Sequence, residues 1–277
     1  PGLGHIAGKA LGLHMDVDCV GFTGSTEVGK YFMQYSGQSN IKRIGLELGG
    51  KSPQVVLADC DDLDAAAAGV AAGIFANTGQ VCNAGSRLIV DEKVRDALFE
   101  KIAAHARSFT PGDPLDATTR MGSMVTEEQM DRVLGYIDAG RAEGATTLIG
   151  GSRVRVETGG FYIEPTIFDR VRNDMTIARE EIFGPVLSAI TVKGFDEAME
   201  VANDTIYGLA GAVWTGSVKN AHRAAKAIKA GVVWVNCFDR GSMAVPFGGF
   251  KQSGFGRDKS LHAMDKYTDL KAMWFAH

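Results

Sequence analysis

The sequence predicts an α/β protein built on a largely parallel sheet. Short apolar runs typical of strands alternate with helical segments along most of the chain, as expected when helices connect parallel strands. Glycine accounts for 35 of 277 residues, whereas its usual share is ~7 %, so many tight turns and close backbone approaches are expected. The 45 % of apolar residues can build a substantial core.

The N-terminal part of the chain contains one β-α-β unit. Residues 18–23 (DCVGFT) are predicted to form a strand, residues 25–36 a helix that begins at a serine, and residues 41–48 (IKRIGLEL) a second strand. A pair of glycines then ends the unit. The stretch GFTGSTEVGK therefore places its glycines between a strand and a helix.

Strands and helices continue to alternate after this break. Residues 126–129 (TEEQ) have the form of a capping box, which opens a helix. The glycine-rich residues 150–160 are predicted to form a surface loop, and residues 266–275 (KYTDLKAMWF) an edge strand available to another subunit. The remaining predicted strands are 54–59, 87–91, 186–192, 209–214 and 231–236, and the helices start near 63, 92, 127, 195 and 218.

Charge and cysteine usage exclude several function classes. A net charge of −4 and a pI near 5.9 provide no basic field for nucleic acid or an acidic membrane, so a small-molecule partner is expected. The four cysteines form no CxxC pair, which predicts neither a disulfide framework nor a metal site. The most apolar stretch, residues 65–76, is shorter than the ~20 residues that span a bilayer. No signal peptide is visible, and a cytoplasmic location is expected.

Three interpretations of GFTGSTEVGK remain open on local evidence. Gly24, Gly29 and Lys30 fit the spacing of a nucleoside-triphosphate loop, but Tyr31 stands where that loop needs a Ser or Thr hydroxyl for Mg²⁺. Alternatively, Gly24 and Ser25 form a turn at a helix N-terminus, where N–H groups favour a pyrophosphate. In the third interpretation, the glycines only allow close packing of helix and sheet.

Cys82 and Glu47 are the candidate catalytic residues. Cys82 lies in a turn flanked by Gly79 and Gly85, where backbone N–H groups can surround an exposed thiolate nucleophile, although a lone cysteine is commonly an inert core thiol. Glu47 ends an apolar strand. It is either a solvated charge or a general base with a raised pKa.

The chain resembles the aldehyde dehydrogenase superfamily along its whole length. The resemblance is carried, in the family's order, by GFTGSTEVGK, LELGGKSP, GQVCNAGSR, EEIFGPV, NDTIYGLAGAVWT and PFGGFKQSGFGR. It implies an aldehyde dehydrogenase-like α/β fold, in which the end of a Rossmann-type cofactor domain (1–49) precedes a three-layer α/β catalytic thiol domain (50–248). A C-terminal segment (249–277) would then carry the oligomerisation strand.

The resemblance also implies residue roles. Cys82 matches the nucleophile that attacks the aldehyde to give a thiohemiacetal, which becomes a thioester after hydride transfer to NAD or NADP. Glu47 matches the base that activates water to hydrolyse the thioester. Glu181 matches the carboxylate on the nicotinamide ribose, and Phe183 packs near the same ring. The implied cofactor-binding set is Phe22, Thr23, Gly24, Ser25, Val28, Leu48, Glu181 and Phe183.

Substrate and assembly are predicted from the same resemblance. Residues 243–274 are similar to the 4-(γ-glutamylamino)butanal dehydrogenases, and Phe238, Asp239 and Met243 are the candidate specificity residues. Family members commonly form dimers or tetramers through the C-terminal strand. They are also nearly twice as long, and the part absent here includes an oxyanion-binding Asn. Two hypotheses follow: part of a working dehydrogenase, or a stable domain without turnover.

Overall fold

The computed structural model describes all 277 residues, which form two compact units. The first unit comprises Pro1–Gly49 and Gly241–His277, and the second comprises Gly50–Arg240. The boundaries predicted from the sequence lie after residue 49, as here, and after residue 248 instead of 240. None of the helices combines the length and the apolar character that crossing a membrane requires.

Eight α-helices and twelve strands are formed. The helices are α1 (Lys9–Leu13), α2 (Thr26–Gln38), α3 (Leu63–Phe75), α4 (Arg95–Ala106), α5 (Glu127–Ala142), α6 (Thr176–Arg179), α7 (Gly194–Asn203) and α8 (Val218–Ala227). The strands are β1 (Cys19–Thr23), β2 (Arg43–Glu47), β3 (Pro53–Val56), β4 (Arg87–Asp91), β5 (Thr146–Ile149), β6 (Arg153–Val154), β7 (Tyr162–Ile163), β8 (Thr166–Asp169), β9 (Val186–Val192), β10 (Ala210–Trp214), β11 (Val232–Val235) and β12 (Gly254–Phe255).

The first unit contains the predicted β-α-β arrangement. Its sheet has the order β1-β2-β12, in which β1 and β2 are parallel and β12 is antiparallel to β2. The register pairs Thr23 with Glu47, so the ends of the two parallel strands lie side by side. Helix α2 packs its buried Phe32 against Val20 and Leu46 of the sheet. This arrangement places the turn after β1 next to the last residue of β2.

The second unit is a three-layer α/β structure. Its sheet has the order β11-β10-β3-β4-β9-β8-β5, and all neighbouring strands are parallel except β5 and β8. Val55 and Ile89 face a core cluster that includes α5, α7 and α8, whereas Val56 and Leu88 face a second cluster with α3 and α4. Because the central strands β3, β4, β9 and β10 are buried on both faces, they are mostly apolar. The α/β class and the parallel sheet are therefore confirmed.

Three short strands (β5, β8 and β12) and the hairpin of β6 and β7 are absent from the predicted pattern. β5 and β8 have four residues each and contain threonines, so no apolar run marks them as strands. Residues 150–160, predicted as a surface loop, include β6, which pairs with β7. Two-residue strands leave too little sequence pattern to be recognised.

The predicted edge strand at Lys266–Phe275 does not form in the single chain. Its first residue closes a 3₁₀ turn at Leu261–Lys266, and no strand follows. The side chains of Leu270, Trp274 and Phe275 are exposed. A strand needs a neighbour to pair its backbone groups, and none is present for this segment.

Candidate active site

In the first unit, the glycine turn lies at the N-terminus of α2. The Oγ atom of Ser25 accepts a hydrogen bond from the Val28 N–H at 3.2 Å and so caps the helix. The Gly24 N–H donates to the Glu47 carbonyl at 3.1 Å. A Cβ atom at Gly24 would lie 2.5 Å from the ring of Phe22, so a larger residue here would require that ring to move. The N–H groups of the first helical turn other than that of Val28 are available to an anion.

The structure decides against the nucleoside-triphosphate loop. Helix α2 begins at Thr26, so Gly29 and Lys30 are helical residues and no loop separates Gly24 from Gly29. A Cβ atom at Gly29 would lie 2.7 Å from both methyl groups of Leu48, which explains this glycine by close packing. Lys30 is exposed. The spacing that resembles a triphosphate loop is therefore a consequence of helix packing.

Glu47 is a buried carboxylate at the end of β2. It is 8 % exposed, and neither of its side-chain oxygens has a hydrogen-bond partner. Burial and, to a smaller extent, the charge of Asp258 raise its pKa to about 7, although Lys266 and Arg257 act to lower it. A Cβ atom at Gly248 would lie 2.8 Å from Oε1, so a glycine backbone adjoins the carboxylate. A group with this pKa can accept a proton at neutral pH.

In the second unit, Cys82 lies in a tight turn after α3. Asn77 and Thr78 both have positive φ angles of 49° and 55°, which reverse the chain at the end of the helix. The Gln80 side chain donates to Thr78 Oγ1 at 2.6 Å and so holds this reversal. The Ala84 N–H donates to the Val81 carbonyl at 3.0 Å and closes the turn around Cys82. The Cys82 residue is partly exposed, and it forms no disulfide.

Gly50 joins the thiol turn to Glu181. A Cβ atom at Gly50 would overlap the carbonyl oxygen of Cys82, so the two backbones are in direct contact. The Gly50 N–H donates to Glu181 Oε1 at 3.1 Å. On the other side of the turn, a Cβ atom at Gly79 would overlap the carbonyl oxygen of Gly184. The segments GGKSP, NTGQVC and EEIFGP therefore meet at one place.

Phe183 is held in a strained conformation beside Glu181. Its φ angle is 56°, a region that bulky residues rarely adopt, and its side chain is 37 % exposed. The Gln129 side-chain amide donates to the carbonyls of Ile182 at 3.1 Å and Phe183 at 3.0 Å. Strained residues held by surrounding hydrogen bonds are concentrated at functional sites.

A cavity of about 190 Å³ borders the thiol turn in the second unit. Val81 and Asn83, the two neighbours of Cys82, line it together with Phe238 and Asp239. The Asn83 side chain donates to Asp239 Oδ1 at 2.8 Å. Asp239 is exposed and has a φ angle of 54°. Met243, the third predicted specificity residue, belongs to the first unit and is 75 % exposed.

Comparisons with known proteins give a family match over nearly the whole chain. The model of the aldehyde dehydrogenase family matches residues 1–273. The chain belongs to this family. It is 48 % identical over 99 % of its length to an aminoacetaldehyde dehydrogenase of Pseudomonas aeruginosa. The chain spans 55 % of that relative's length, and therefore little more than half of an aldehyde dehydrogenase of this kind.

Solved structures of the family share the fold. An indole-3-acetaldehyde dehydrogenase in complex with NAD⁺ superimposes with a TM-score of 0.98 at 56 % identity, over 99 % of this chain and 56 % of that one. A gamma-glutamyl-gamma-aminobutyraldehyde dehydrogenase from Burkholderia cenocepacia gives a TM-score of 0.93 at 59 % identity, over 95 % of this chain and 53 % of that one. The aldehyde dehydrogenase-like fold predicted for the chain is confirmed.

Three residues near the segments GGKSP, NTGQVC and EEIFGP were not predicted from the sequence: Gln129, Lys51 and Arg87. Gln129 is predicted from the sequence only as part of the capping box. The Gln129 N–H does donate to the Thr126 hydroxyl at 3.2 Å, but the Gln129 side chain donates to the Phe183 carbonyl. Lys51 and Arg87 are fully buried, with exposures of 1 % and 0 %. The only sequence signal that Lys51 belongs to a site was its position in GGKSP, directly after two glycines. Charged residues are almost never fully buried, so their type indicated exposure.

Proposed function

We propose that this chain carries the thiol, the base and part of the cofactor site of an NAD(P)⁺-dependent aldehyde dehydrogenase that converts an aldehyde to a carboxylic acid. The observation that carries the proposal is the position of Gly50, which contacts the carbonyl of Cys82 and donates to Glu181. The nucleophile and the ribose-binding carboxylate are thereby joined through one residue.

Cys82 and Glu47 divide the chemistry between them. The Cys82 thiolate attacks the aldehyde carbon to form a C–S bond, and the resulting alkoxide is stabilised by the backbone N–H of Cys82. NAD(P)⁺, when bound, supplies the hydride acceptor that turns the thiohemiacetal into a thioester. Glu47, whose pKa is about 7, then takes a proton from water. The hydroxide displaces the thiolate, which releases the acid.

The residues of this chain fit a dinucleotide. The capped N-terminus of α2 and the side-chain-free Gly24 suit a pyrophosphate, with Val28, 38 % exposed on the same helix, beside the adenine. Glu181 is partly buried, and Gly50 holds only one of its oxygens, so the carboxylate can accept hydrogen bonds from ribose hydroxyls. Phe183 presents an exposed ring two residues later. Phe22, Thr23 and Leu48 complete the proposed set.

The proposed substrate is an aldehyde that carries an amino group, such as 4-(γ-glutamylamino)butanal. Two relatives are named for aminoacetaldehyde and gamma-glutamyl-gamma-aminobutyraldehyde. Asp239 supports this proposal, because its exposed carboxylate lines the cavity next to Asn83 and can pair with an ammonium group. Changing Asp239 to Asn should raise the KM for 4-aminobutanal several-fold and leave the KM for butanal unchanged. An equal change for both aldehydes would contradict the assignment.

Turnover with and without cofactor separates a working dehydrogenase from a domain without turnover. We expect the 277-residue chain to hydrolyse 4-nitrophenyl acetate and to reduce NAD⁺ in the presence of 4-aminobutanal. Cys82→Ala should abolish both activities, whereas Cys237→Ala should abolish neither. Ester hydrolysis without NAD⁺ reduction would favour the domain without turnover. Ester hydrolysis that persists in Cys82→Ala would contradict the nucleophile assignment.

We also propose that copies of this chain assemble through residues 266–275. The exposures of Leu270, Trp274 and Phe275 are 106 %, 95 % and 80 %, which is unusual for large apolar side chains in an isolated protein. Sedimentation equilibrium should show a dimer or tetramer that Trp274→Lys weakens. Leu115→Lys, which changes an equally exposed side chain in the other unit, is the control. A monomer at micromolar concentration would contradict the proposal.

A further inference from the structure

Lys51 is a buried charge that the proposed chemistry does not use. Its residue is 1 % exposed, and its Nζ atom has no hydrogen-bond partner. Its backbone is fixed, because the Arg87 Nε donates to its carbonyl at 3.2 Å. Placing an ammonium group here is costly, since a buried charge normally needs an ion-pair partner. A lysine at this position therefore requires an explanation.

The charges that surround Lys51 point to Glu181. Burial and, to a smaller extent, the neighbouring Arg87 lower the pKa of Lys51 to about 7, although Glu181 and Glu180 act to raise it. Glu180 is exposed, so water screens its charge, but Glu181 is partly buried and less screened. No carboxylate lies within ion-pair distance of Lys51. The interaction with Glu181 therefore acts through space.

The carboxylate of Glu181 is the negative counterpart, because burial also disfavours its charged form. Burial raises its pKa, whereas the Gly50 N–H, Lys51 and Arg132 oppose this rise. Gly50 is the residue directly before Lys51, so the same short segment supplies both a hydrogen bond and a charge. The same carboxylate affects Tyr207. Burial and the charge of Glu181 raise the pKa of the Tyr207 phenol to about 12. Tyr207 therefore stays neutral and adds no competing charge.

We propose that Lys51 is a positioning residue for cofactor binding, whose ammonium group holds a negative charge on Glu181 while Gly50 fixes the direction of that carboxylate. The inference rests on the proposed role of Glu181 at the ribose. An ionised carboxylate forms hydrogen bonds to hydroxyl groups that are shorter and about twice as strong as those of a neutral acid. Lys51 borders a cavity of about 10 Å³.

The titration of Glu181 tests the charge effect without any cofactor. The protein is labelled with ¹³C at glutamate carboxyl carbons, and the Glu181 signal is identified by its absence in Glu181→Gln. Lys51→Met should move the Glu181 midpoint to higher pH, whereas Lys51→Arg should leave it near its original position. Lys229→Met is the matched control, because exposed Lys229 borders the same cavity. An unchanged midpoint in folded Lys51→Met would overturn the proposal.

A second measurement covers the case in which Lys51→Met does not fold. In Glu181→Gln, which keeps the lysine, the ¹³Cε signal of Lys51 should titrate at lower pH than in the unchanged protein, because the opposite charge has been removed. A Lys51 midpoint that stays in place would overturn the proposal equally. A merely structural role of Lys51 moves neither midpoint.

Equilibrium binding of NAD⁺ separates this inference from the proposed function. Calorimetry on Lys51→Met should give about tenfold weaker binding at pH 6, the loss expected when a hydrogen bond to a charged group is weakened, and a smaller loss at pH 8. Glu181→Gln should weaken binding at both pH values. If Glu181→Gln has no effect, the proposed role of Glu181 fails. If only Glu181→Gln weakens binding, the role of Lys51 fails and that of Glu181 stands.

Discussion

Glu47 in the first unit and Lys51 in the second are four residues apart in the sequence, and burial shifts their pKa values toward each other. The pKa of Glu47 rises from 4.5 to about 7, and that of Lys51 falls from 10.5 to about 7. None of their charged atoms has a hydrogen-bond partner. Below pH 7 the lysine is charged and the glutamate is neutral; above pH 7 the reverse holds.

The difference between the two groups lies in what their charge is used for. Glu47 is proposed to exchange protons with water, so a pKa near neutrality is itself the useful property. Lys51 is proposed to act only through its charge on Glu181, so its low pKa is a cost of burial. The same physical cause therefore favours the proposed general base in one unit and weakens the proposed counter-charge in the other.

The largest expected effect comes from removing the base. Glu47→Gln should slow thioester hydrolysis by about 10²–10⁴-fold, the usual contribution of general base catalysis. We expect solvent to take the proton of the Cys82 thiol during acylation, so 4-nitrophenyl acetate should give one burst of nitrophenol per thiol and then almost no turnover. Glu27→Gln, an exposed glutamate of the same unit, should retain steady turnover. A steady rate in Glu47→Gln would show that another group activates water.

Stability should respond to pH in opposite directions at the two positions. The folded pKa of Glu47 is raised, so its burial costs nothing below pH 4.5, costs more as pH rises, and reaches its full cost above pH 7. The folded pKa of Lys51 is lowered, so its burial costs most below pH 7 and costs less as pH rises toward 10.5. These pH ranges follow because the folded state binds the extra proton at Glu47, whereas the unfolded state binds it at Lys51.

Neutral replacements should reveal these pH ranges in urea unfolding. Glu47→Gln should raise the free energy of unfolding by on the order of 1–3 kcal/mol at pH 8.5 and by less at pH 5.5. Lys51→Met should show the opposite order, with its larger gain at pH 5.5. Equal gains at both pH values would mean that packing, and not charge burial, determines the effect of the substitution.

Gly50, the residue before Lys51, contacts the turn that carries the thiol of Cys82. A Cβ atom at Gly50 would overlap the Cys82 carbonyl, so Gly50→Ala must displace the thiol turn at a cost of typically 1–3 kcal/mol. The rate of Cys82 alkylation by iodoacetamide should change as well, because the turn positions the sulfur. Gly37→Ala, where an added methyl group meets open space, is the control. Unchanged stability and reactivity in Gly50→Ala would contradict the contact.

Local sequence patterns predicted most of the fold and the two proposed catalytic residues, Cys82 and Glu47. The strand, the serine cap and the helix after GFT are encoded within a few residues, and so is the glycine turn around Cys82. The motif order indicated the family, which the comparisons confirm. These features are readable because they depend on neighbours in sequence.

The remainder depends on contacts between distant residues. The bond from Gly50 to Glu181 spans 131 residues, and Gln129 reaches 54 residues to the Phe183 carbonyl. The burial of Lys51 and Arg87 depends on how three layers pack, and no local pattern distinguishes a buried cation from an exposed one. The pKa shift of Glu47 likewise depends on the distant Asp258 and Lys266.

Asp258 offers the smallest and most specific test of the base. Burial is the main cause of the raised pKa of Glu47, and the charge of Asp258 is the second cause. Asp258→Asn removes that charge and also frees Lys266, its ion-pair partner, whose positive charge acts to lower the pKa of Glu47. Both changes favour the ionised form of Glu47. The pH at which ester turnover is half-maximal should therefore move downward by less than the shift that burial causes. Lys266→Met should move it upward, so two substitutions within one ion pair give opposite displacements; displacements in the same direction would mean that the local backbone, and not charge, controls Glu47.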